Sequence, residues 1–516
     1  MAKDGITRRH FFIGSLLAGA IPAAGWGSVP SLKMLGYKSP NEKLNIAGIG
    51  AGGQARADIG GVSGENLVAF ADPDSVRGGQ TFQQYPNVPK YTDFRKMFDK
   101  EEKNIDAVTI AIPDHMHATA AMWAMERGKH VYVEKPLTRT PWEARMLTEA
   151  AARYNVATQM GNQGYSNDGA RVAAEIIWSG EIGNVTEVHA WTNRPIWPQG
   201  MTEIPDEEKT PDTLDWDTWI GVAAMRPYTS GGATYRQQHR TQFGFYQPFN
   251  WRGFLDFGSG PIGDMALHIL GAPNMALLLG NPTSVELIKQ EGKNTLSYPN
   301  STVTRFEFPS RGSMPPLTLY WYDAQRGAAY KPKDLPEGEP LIGGEDAFGA
   351  PTPRNPFSAA FNAAAANGGN PPAGPARGGR GGAIPAGMQE ANGAVFVGEK
   401  GYLTTDTYGA KVRLLPLERH KAYKLPPEVL TRSPEHHLDW LRACKGGERA
   451  CSDFSVAGPF TEWILLSTIA MRVDGKLQWD STKLRFTNSE EANRYVTPEF
   501  RKSWSQVWAG KKLNKA

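Results

Sequence analysis

The chain has 516 residues, of which 21% are charged and 40% hydrophobic, with a formal net charge of +3. That length allows two or three domains with full cores, and the composition is ordinary for a soluble chain. So small a net charge, without a long basic run, argues against a nucleic-acid binder. The two cysteines, Cys444 and Cys451, exclude a disulfide framework and leave open either one bridge or two free thiols.

The first residues read as an address, separate from the fold. Residues 7–12 are Thr-Arg-Arg-His-Phe-Phe, and Lys3, Arg8 and Arg9 precede a Gly/Ala-rich apolar stretch at 11–22. Small-residue cleavage positions follow at Ala18-Gly19-Ala20 or near Ala24. We read residues 1–30 as a twin-arginine signal peptide, which predicts export to the periplasm with the twin-arginine translocase as partner. The alternative is a cytosolic chain with a chance Arg-Arg. The apolar stretch is too short to span a bilayer, and no other stretch reaches about 18 apolar residues.

From residue 44 the pattern is strand, glycine loop, helix, strand, repeated. Strands are predicted at 44–49, 66–71, 105–112, 130–134 and 156–160. A helix after Pro113 stops at Gly128. The next opens with Thr140-Pro141-Trp142-Glu143, a capping box with proline at the first helical position. Alternation of this kind implies right-handed βαβ units and a doubly wound parallel sheet over residues 42–163.

Beyond residue 164 the texture changes. Segments 185–191, 284–289, 302–308 and 317–322 have strand-like alternation or β-branched content. They predict an α+β domain over 164–505 with an open, mostly antiparallel sheet. Residues 351–388 are low in complexity, with Ala-Ala-Ala-Ala and Arg-Gly-Gly-Arg-Gly-Gly runs, and read as a flexible insertion within that domain. A helix is predicted at 436–445, ended by Gly446-Gly447.

Gly48, Gly50 and Gly53 form G-x-G-x-x-G after a strand and before a helix, with Asp72 at the end of the following strand. This is the context a dinucleotide loop requires: a tight turn, close backbone approach to a pyrophosphate at the helix N-terminus, and an acid for the ribose hydroxyls. Asp72 favours NAD over NADP, and the nearby Arg77 weakens that preference, so NADP stays open. Residues 134–136, Glu-Lys-Pro, place Lys135 at the C-terminal edge of a parallel strand, where ligands bind. Asp264 and His268 are four residues apart, on one helical face, and imidazole is suited to proton transfer near neutrality. A surface lysine and a structural Asp-His pair are the plain alternatives.

Together these segments resemble the glucose–fructose oxidoreductase and inositol dehydrogenase family, Gfo/Idh/MocA. The matching stretches are the glycine loop, Ala71-Asp72-Pro73, Tyr91-x-Asp93-Phe94, Pro113 through His117, Glu134-Lys135-Pro136, Gly161-Asn162-Gln163, Trp251-Arg252-Gly253 and Asp264 through His268. The resemblance covers most of residues 42–505 outside the insertion. It implies a Rossmann domain plus an open-sheet domain, and a catalytic trio of Lys135, Asp264 and His268. It places Pro113, His117, Glu134, Lys135, Asn162 and Gln163 with the glycines and Asp72 around the cofactor, and Arg252 with the trio at the substrate. It also implies a cis bond before Pro136 and a homo-oligomer, dimer or tetramer. One departure is Leu270-Gly271, where relatives often carry an aspartate shortly after the histidine.

Asp114-His115-Met116-His117 could suggest a metal site, but both histidines fall beside the nicotinamide position, and no metal is assigned. His436-His437 reads as a cap or a packed helix face. Trp191, Trp197, Trp216, Trp219 and Trp251 suit either sugar faces or aromatic packing. The resulting expectation is an exported NAD(P)-dependent oxidoreductase of a carbohydrate or polyol, with tightly bound cofactor. Glycoside cleavage through transient oxidation and elimination is the second reading, and a non-catalytic sugar-binding or scaffold protein the third.

Overall fold

The computed structural model describes residues 42–343, 347–349 and 391–511. The signal at 1–30 and the low-complexity stretch 351–388 lie outside the described residues. Six parallel strands form the first sheet: β1 (Asn45–Ile49), β2 (Asn66–Ala71), β3 (Lys90–Tyr91), β4 (Ala107–Ile110), β5 (His130–Glu134) and β6 (Thr158–Gly161), in the order β3-β2-β1-β4-β5-β6. The Ala-Val-Thr-Ile run of β4 is buried throughout, as a parallel sheet covered on both faces demands. Helices α1 (Gln54–Gly61), α2 (Asp114–Met125) and α3 (Pro141–Tyr154) supply crossovers. The capping box is present: Glu143 N donates to Thr140 Oγ1 at 3.4 Å, and Thr140 N donates to the Glu143 carboxylate at 3.0 Å.

The chain then enters α4 (Asp168–Trp178) and a nine-stranded sheet. Its strands are β7 (Val185–Trp191), β8 (Ser284–Glu291), β9 (Ser301–Phe308), β10 (Leu317–Tyr322), β11 (Gly393–Gly398), β12 (Gly401–Thr405), β13 (Val412–Leu415), β14 (Lys476–Asp480) and β15 (Arg485–Phe486). The order is β13-β12-β11-β7-β10-β9-β8-β14-β15. Only the β7–β10 pair is parallel among these neighbours. Every second residue of β9 is buried, the signature of a half-covered sheet.

Two late helices tie the layers together. Helix α5 (His436–Cys444) lays Trp440, Leu441 and Cys444 on Leu44, Ile46, Ala107 and Tyr132 of the parallel sheet. A segment distant in sequence thus completes one face of the first domain. Both cysteines are free thiols. Helix α6 (Phe454–Ala470) covers the second sheet, with the Trp463 ring 5.1 Å from Phe306 and 5.2 Å from Phe308. It also packs on α3, where Arg145 donates to the Glu462 carboxylate at 2.9 and 2.8 Å. A Cβ at Gly458 would lie 1.8 Å from Thr148 Oγ1, so this approach of α6 to α3 needs a glycine. The result is a fixed junction beside the end of β5, where Lys135 emerges.

Candidate active site

The turn from β1 into α1 lines one end of a cavity of about 350 Å³. Gly50 has φ of 91°, and a Cβ there would stand 2.4 Å from the carbonyl oxygen of Ala111, just past β4. Only glycine permits that contact. Ala51 N donates to Asp72 Oδ2 at 2.9 Å and Asp74 N to Asp72 Oδ1 at 3.0 Å, so the acid at the end of β2 braces the loop it serves. Burial raises the Asp72 carboxyl to about 6, against the pull of those two amides. Arg77 covers the loop: a Cβ on Gly53 would fall 2.1 Å from its Nη2.

The other end of the cavity is lined by Pro113, Asp114, His117, Glu134, Lys135 and Arg252, closed by Trp219, Phe249 and Trp251. Lys135 Nζ donates to Asp264 Oδ1 at 2.7 Å, and Arg252 Nε donates to the same oxygen at 3.2 Å. Burial works against ionising Asp264, but Lys135 and then Arg252 outweigh it and hold the carboxyl far below the usual range. The bond Lys135–Pro136 is cis. The Arg252 guanidinium lies 4.5 Å from the Phe249 ring centre and 4.3 Å from that of Trp251, which fixes its plane.

Asp264 lies in a π-helical turn, Ile262–Ala266, that runs into a short helix carrying His268. The aspartate turns to Lys135 and Arg252. The His268 ring packs edge-on to Tyr408, with centroids 4.9 Å apart, and its Nδ1 is buried without a partner. Burial, reinforced by Lys135, lowers His268 to about 3, so the imidazole is neutral. Asp264 and His268 stand beside the cavity and do not line it.

His117 is tied on both nitrogens, at 2.7 Å to the Pro136 carbonyl and 2.7 Å to that of Ile112, and thereby anchors the turn after Lys135. His115 likewise faces the carbonyls of Trp219 and Ile220. Gln163 Nε2 donates to Glu134 Oε1 at 2.8 Å and reaches the site only through that carboxylate. Asn162 is fully buried, its amide oxygen accepting from Ser452 Oγ at 2.6 Å. That bond turns the side chain away from the cavity expected of it. Trp216, Trp219 and Trp251 belong to one aromatic cluster, and Trp191 lies fully buried in another around Leu341 and Val395.

Three further residues at the site had no role read from the sequence. Asp114 is buried against the cavity and raised to about 7 by that burial, with Arg252 and Lys135 opposing. Tyr408 arrives from the β12–β13 turn, and Gln54 from the first turn of α1. Only the folded chain brings them here.

The backbone cradle, the covering guanidinium and the braced acid suit a pyrophosphate with an adjoining ribose. The NAD-binding Rossmann-fold model of the Gfo/Idh/MocA oxidoreductase family matches residues 43–162, and the C-terminal alpha/beta domain model of that family matches residues 177–294. Both models are of that oxidoreductase family, and together they match less than half of this chain. A levoglucosan dehydrogenase of Pseudarthrobacter phenanthrenivorans is 31% identical over 137 residues, 26% of this chain and 34% of that enzyme. An inositol 2-dehydrogenase of Salmonella typhimurium is 30% identical over 151 residues, 28% of this chain and 44% of that enzyme. The matches thus span less than half the length of these relatives. Among solved structures, the WlbA dehydrogenase from Bordetella pertussis, in complex with NADH and UDP-GlcNAcA, shares the fold at a TM-score of 0.51 and 13% identity, over 85% of this chain and 99% of that one. GenD2 from gentamicin A biosynthesis, in complex with NAD, does so at 0.50 and 15%, over 88% and 100%.

Proposed function

We propose that this chain is a member of the Gfo/Idh/MocA family that oxidises a hydroxyl of a carbohydrate or polyol with NAD, the nicotinamide lying toward Glu134 and Lys135. The observation that carries the reading is that Lys135 and Arg252 line the cavity and both bond Asp264, which stands beside it. NAD, when bound, supplies the hydride acceptor. Asp264 aims the Lys135 ammonium, which stabilises the developing negative charge of an alkoxide. The neutral His268 takes the hydroxyl proton. The names of the relatives, which act on levoglucosan and inositol, agree with this substrate class.

The test is incubation of purified protein with NAD and a panel of sugars and polyols, followed by NADH absorbance. Lys135→Met should lower kcat by a factor on the order of 10³ while the Kd for NAD stays within about twofold, and His268→Asn should lower it roughly 10²–10⁴-fold. Turnover by Lys135→Met at the wild-type rate would overturn the assignment. Release of an aglycone from glycosides without net NADH would move the reading to eliminative cleavage.

The reading also includes export through the twin-arginine route with cofactor already bound, supported by Arg8-Arg9 and the apolar run after them. Fractionation of translocase-deficient cells should find the protein retained in the cytoplasm. Native mass spectrometry of periplasmic protein should find nicotinamide bound, and an empty protein would refute the trapped cofactor.

A further inference from the structure

Behind the glycine loop runs a buried polar chain that the proposed reaction does not use. Gln54, which lines the cavity, donates from one nitrogen to two carboxylates: Glu134 Oε1 at 3.3 Å and Asp58 Oδ1 at 3.0 Å. Asp58 has no solvent exposure, and its Oδ1 lies 3.4 Å from His437 Nε2. His437 belongs to α5, stacks on the Tyr132 ring at 5.1 Å, and places Nδ1 3.6 Å from Glu435 Oε1. A Cβ on Gly61 would stand 2.6 Å from the His437 ring, so α1 and α5 are fitted to one another here.

Two buried carboxyls bridged by a single amide cannot both carry full charge cheaply. Burial and then Asp58 raise Glu134 to about 8, while burial raises Asp58 against the opposing effect of His437. Burial disfavours the His437 imidazolium, yet Asp58 and Glu435 outweigh it and raise the ring to about 9. The groups facing this pair are His437, His436, Glu435, Tyr132 and Lys135. His437 touches only Asp58 of the two acids, so it draws their shared negative charge to Asp58 and leaves the proton on Glu134.

We propose that His437, acting through Asp58 and Gln54, sets the charge on Glu134 beside the nicotinamide and so sets the relative affinity for oxidised and reduced cofactor. The inference rests on the cofactor reading above. In the native protein a neutral Glu134 faces the ring. Without the His437 charge, Asp58 takes up a proton and no longer opposes ionisation of Glu134, which then ionises at lower pH, and the cationic oxidised ring is favoured over the neutral reduced one. His437 is a positioning residue in this scheme, since it touches neither cofactor nor substrate.

The experiment is a pair of titrations, NAD⁺ and NADH separately, on wild type, His437→Gln, Glu134→Gln and the double variant. His437→Gln should lower the ratio Kd(NAD⁺)/Kd(NADH) by about tenfold, the scale of a charge appearing beside a cationic ring in a partly buried site. The shift should vanish in the Glu134→Gln background. A His437→Gln protein whose two Kd values change by the same factor would show a packing role and overturn the proposal, as would a shift that survives Glu134→Gln. Should His437→Gln fail to fold, the ratio across pH 6.5–9 in wild type and Glu134→Gln decides: Asp114, raised to about 7, titrates in both, so a further fall near 8 in the wild type alone is expected, and matching profiles overturn the proposal. A wild-type protein that binds neither form would overturn the cofactor reading and this inference with it.

Discussion

Alanine at each glycine of the dinucleotide loop should give a graded response that the local geometry dictates. Gly50→Ala combines a positive-φ backbone with a Cβ 2.4 Å from a backbone carbonyl oxygen, that of Ala111, which cannot swing aside. Backbone strain of about 1–3 kcal/mol and overpacking of about 1–3 kcal/mol add to a stability loss of roughly 2–6 kcal/mol. Gly53→Ala also has positive φ, but its 2.1 Å neighbour is the tip of Arg77, the mobile end of a long side chain. Its backbone, at φ 60° and ψ -123°, lies outside the left-handed helical region, so the change should cost about 1–3 kcal/mol in stability and weaken NADH binding more than its stability loss suggests, because the displaced guanidinium no longer covers the loop. At Gly48, where no positive φ is involved, the added carbon meets Ile59 Cδ1 and Phe70 Cδ1 at 3.1 Å and the Gly50 carbonyl oxygen at 3.3 Å, and the loss should stay near about 1 kcal/mol. Urea denaturation and NADH fluorescence titration read the two effects separately. If Gly50→Ala is as stable as Gly48→Ala, the packing of this loop against the end of β4 does not constrain it, and the reasoning fails.

Two further outcomes follow from buried acids. Asp72, raised to about 6 by burial, gains a proton as pH falls through that value and loses acceptor strength. NAD affinity should therefore drop between pH 7 and 5, whereas Asp72→Asn should be flat over this range and less selective against NADP in paired titrations. Glu462 is raised to about 7 by burial, with Arg145 opposing. Its protonated form is the better tolerated in the fold, so stability linked to it is present below the usual carboxyl range and lost as pH rises through about 7. Arg145→Met removes the compensating charge and should destabilise by about 2–3 kcal/mol at pH 8 but little at pH 5. Equal losses at both pH values in urea melts would refute this.

Strands β1, β2 and β4–β10 were legible in the chain because apolar alternation, glycine stops and the Thr140 capping box are local signals. So were the glycine loop, Asp72 and the Glu-Lys-Pro turn, whose spacing follows from a single βαβ unit. Strands β11–β13 and the covering roles of α5 and α6 were not, since nothing in 393–415 or 436–470 says which sheet those residues meet.

Within the site, local residue order determined that a lysine leaves β5 next to a dinucleotide loop, and that Asp264 and His268 share one helical stretch. Tertiary structure decided what each one faces. It turned Asp264 to Lys135 and Arg252, set His268 against Tyr408, sent Asn162 into the interior, and brought His437 from the far end of the chain to Asp58. Those partners are chosen by long-range packing, in which a Gly61 or a Gly458 allows two helices to meet, and no periodicity in the sequence encodes which two.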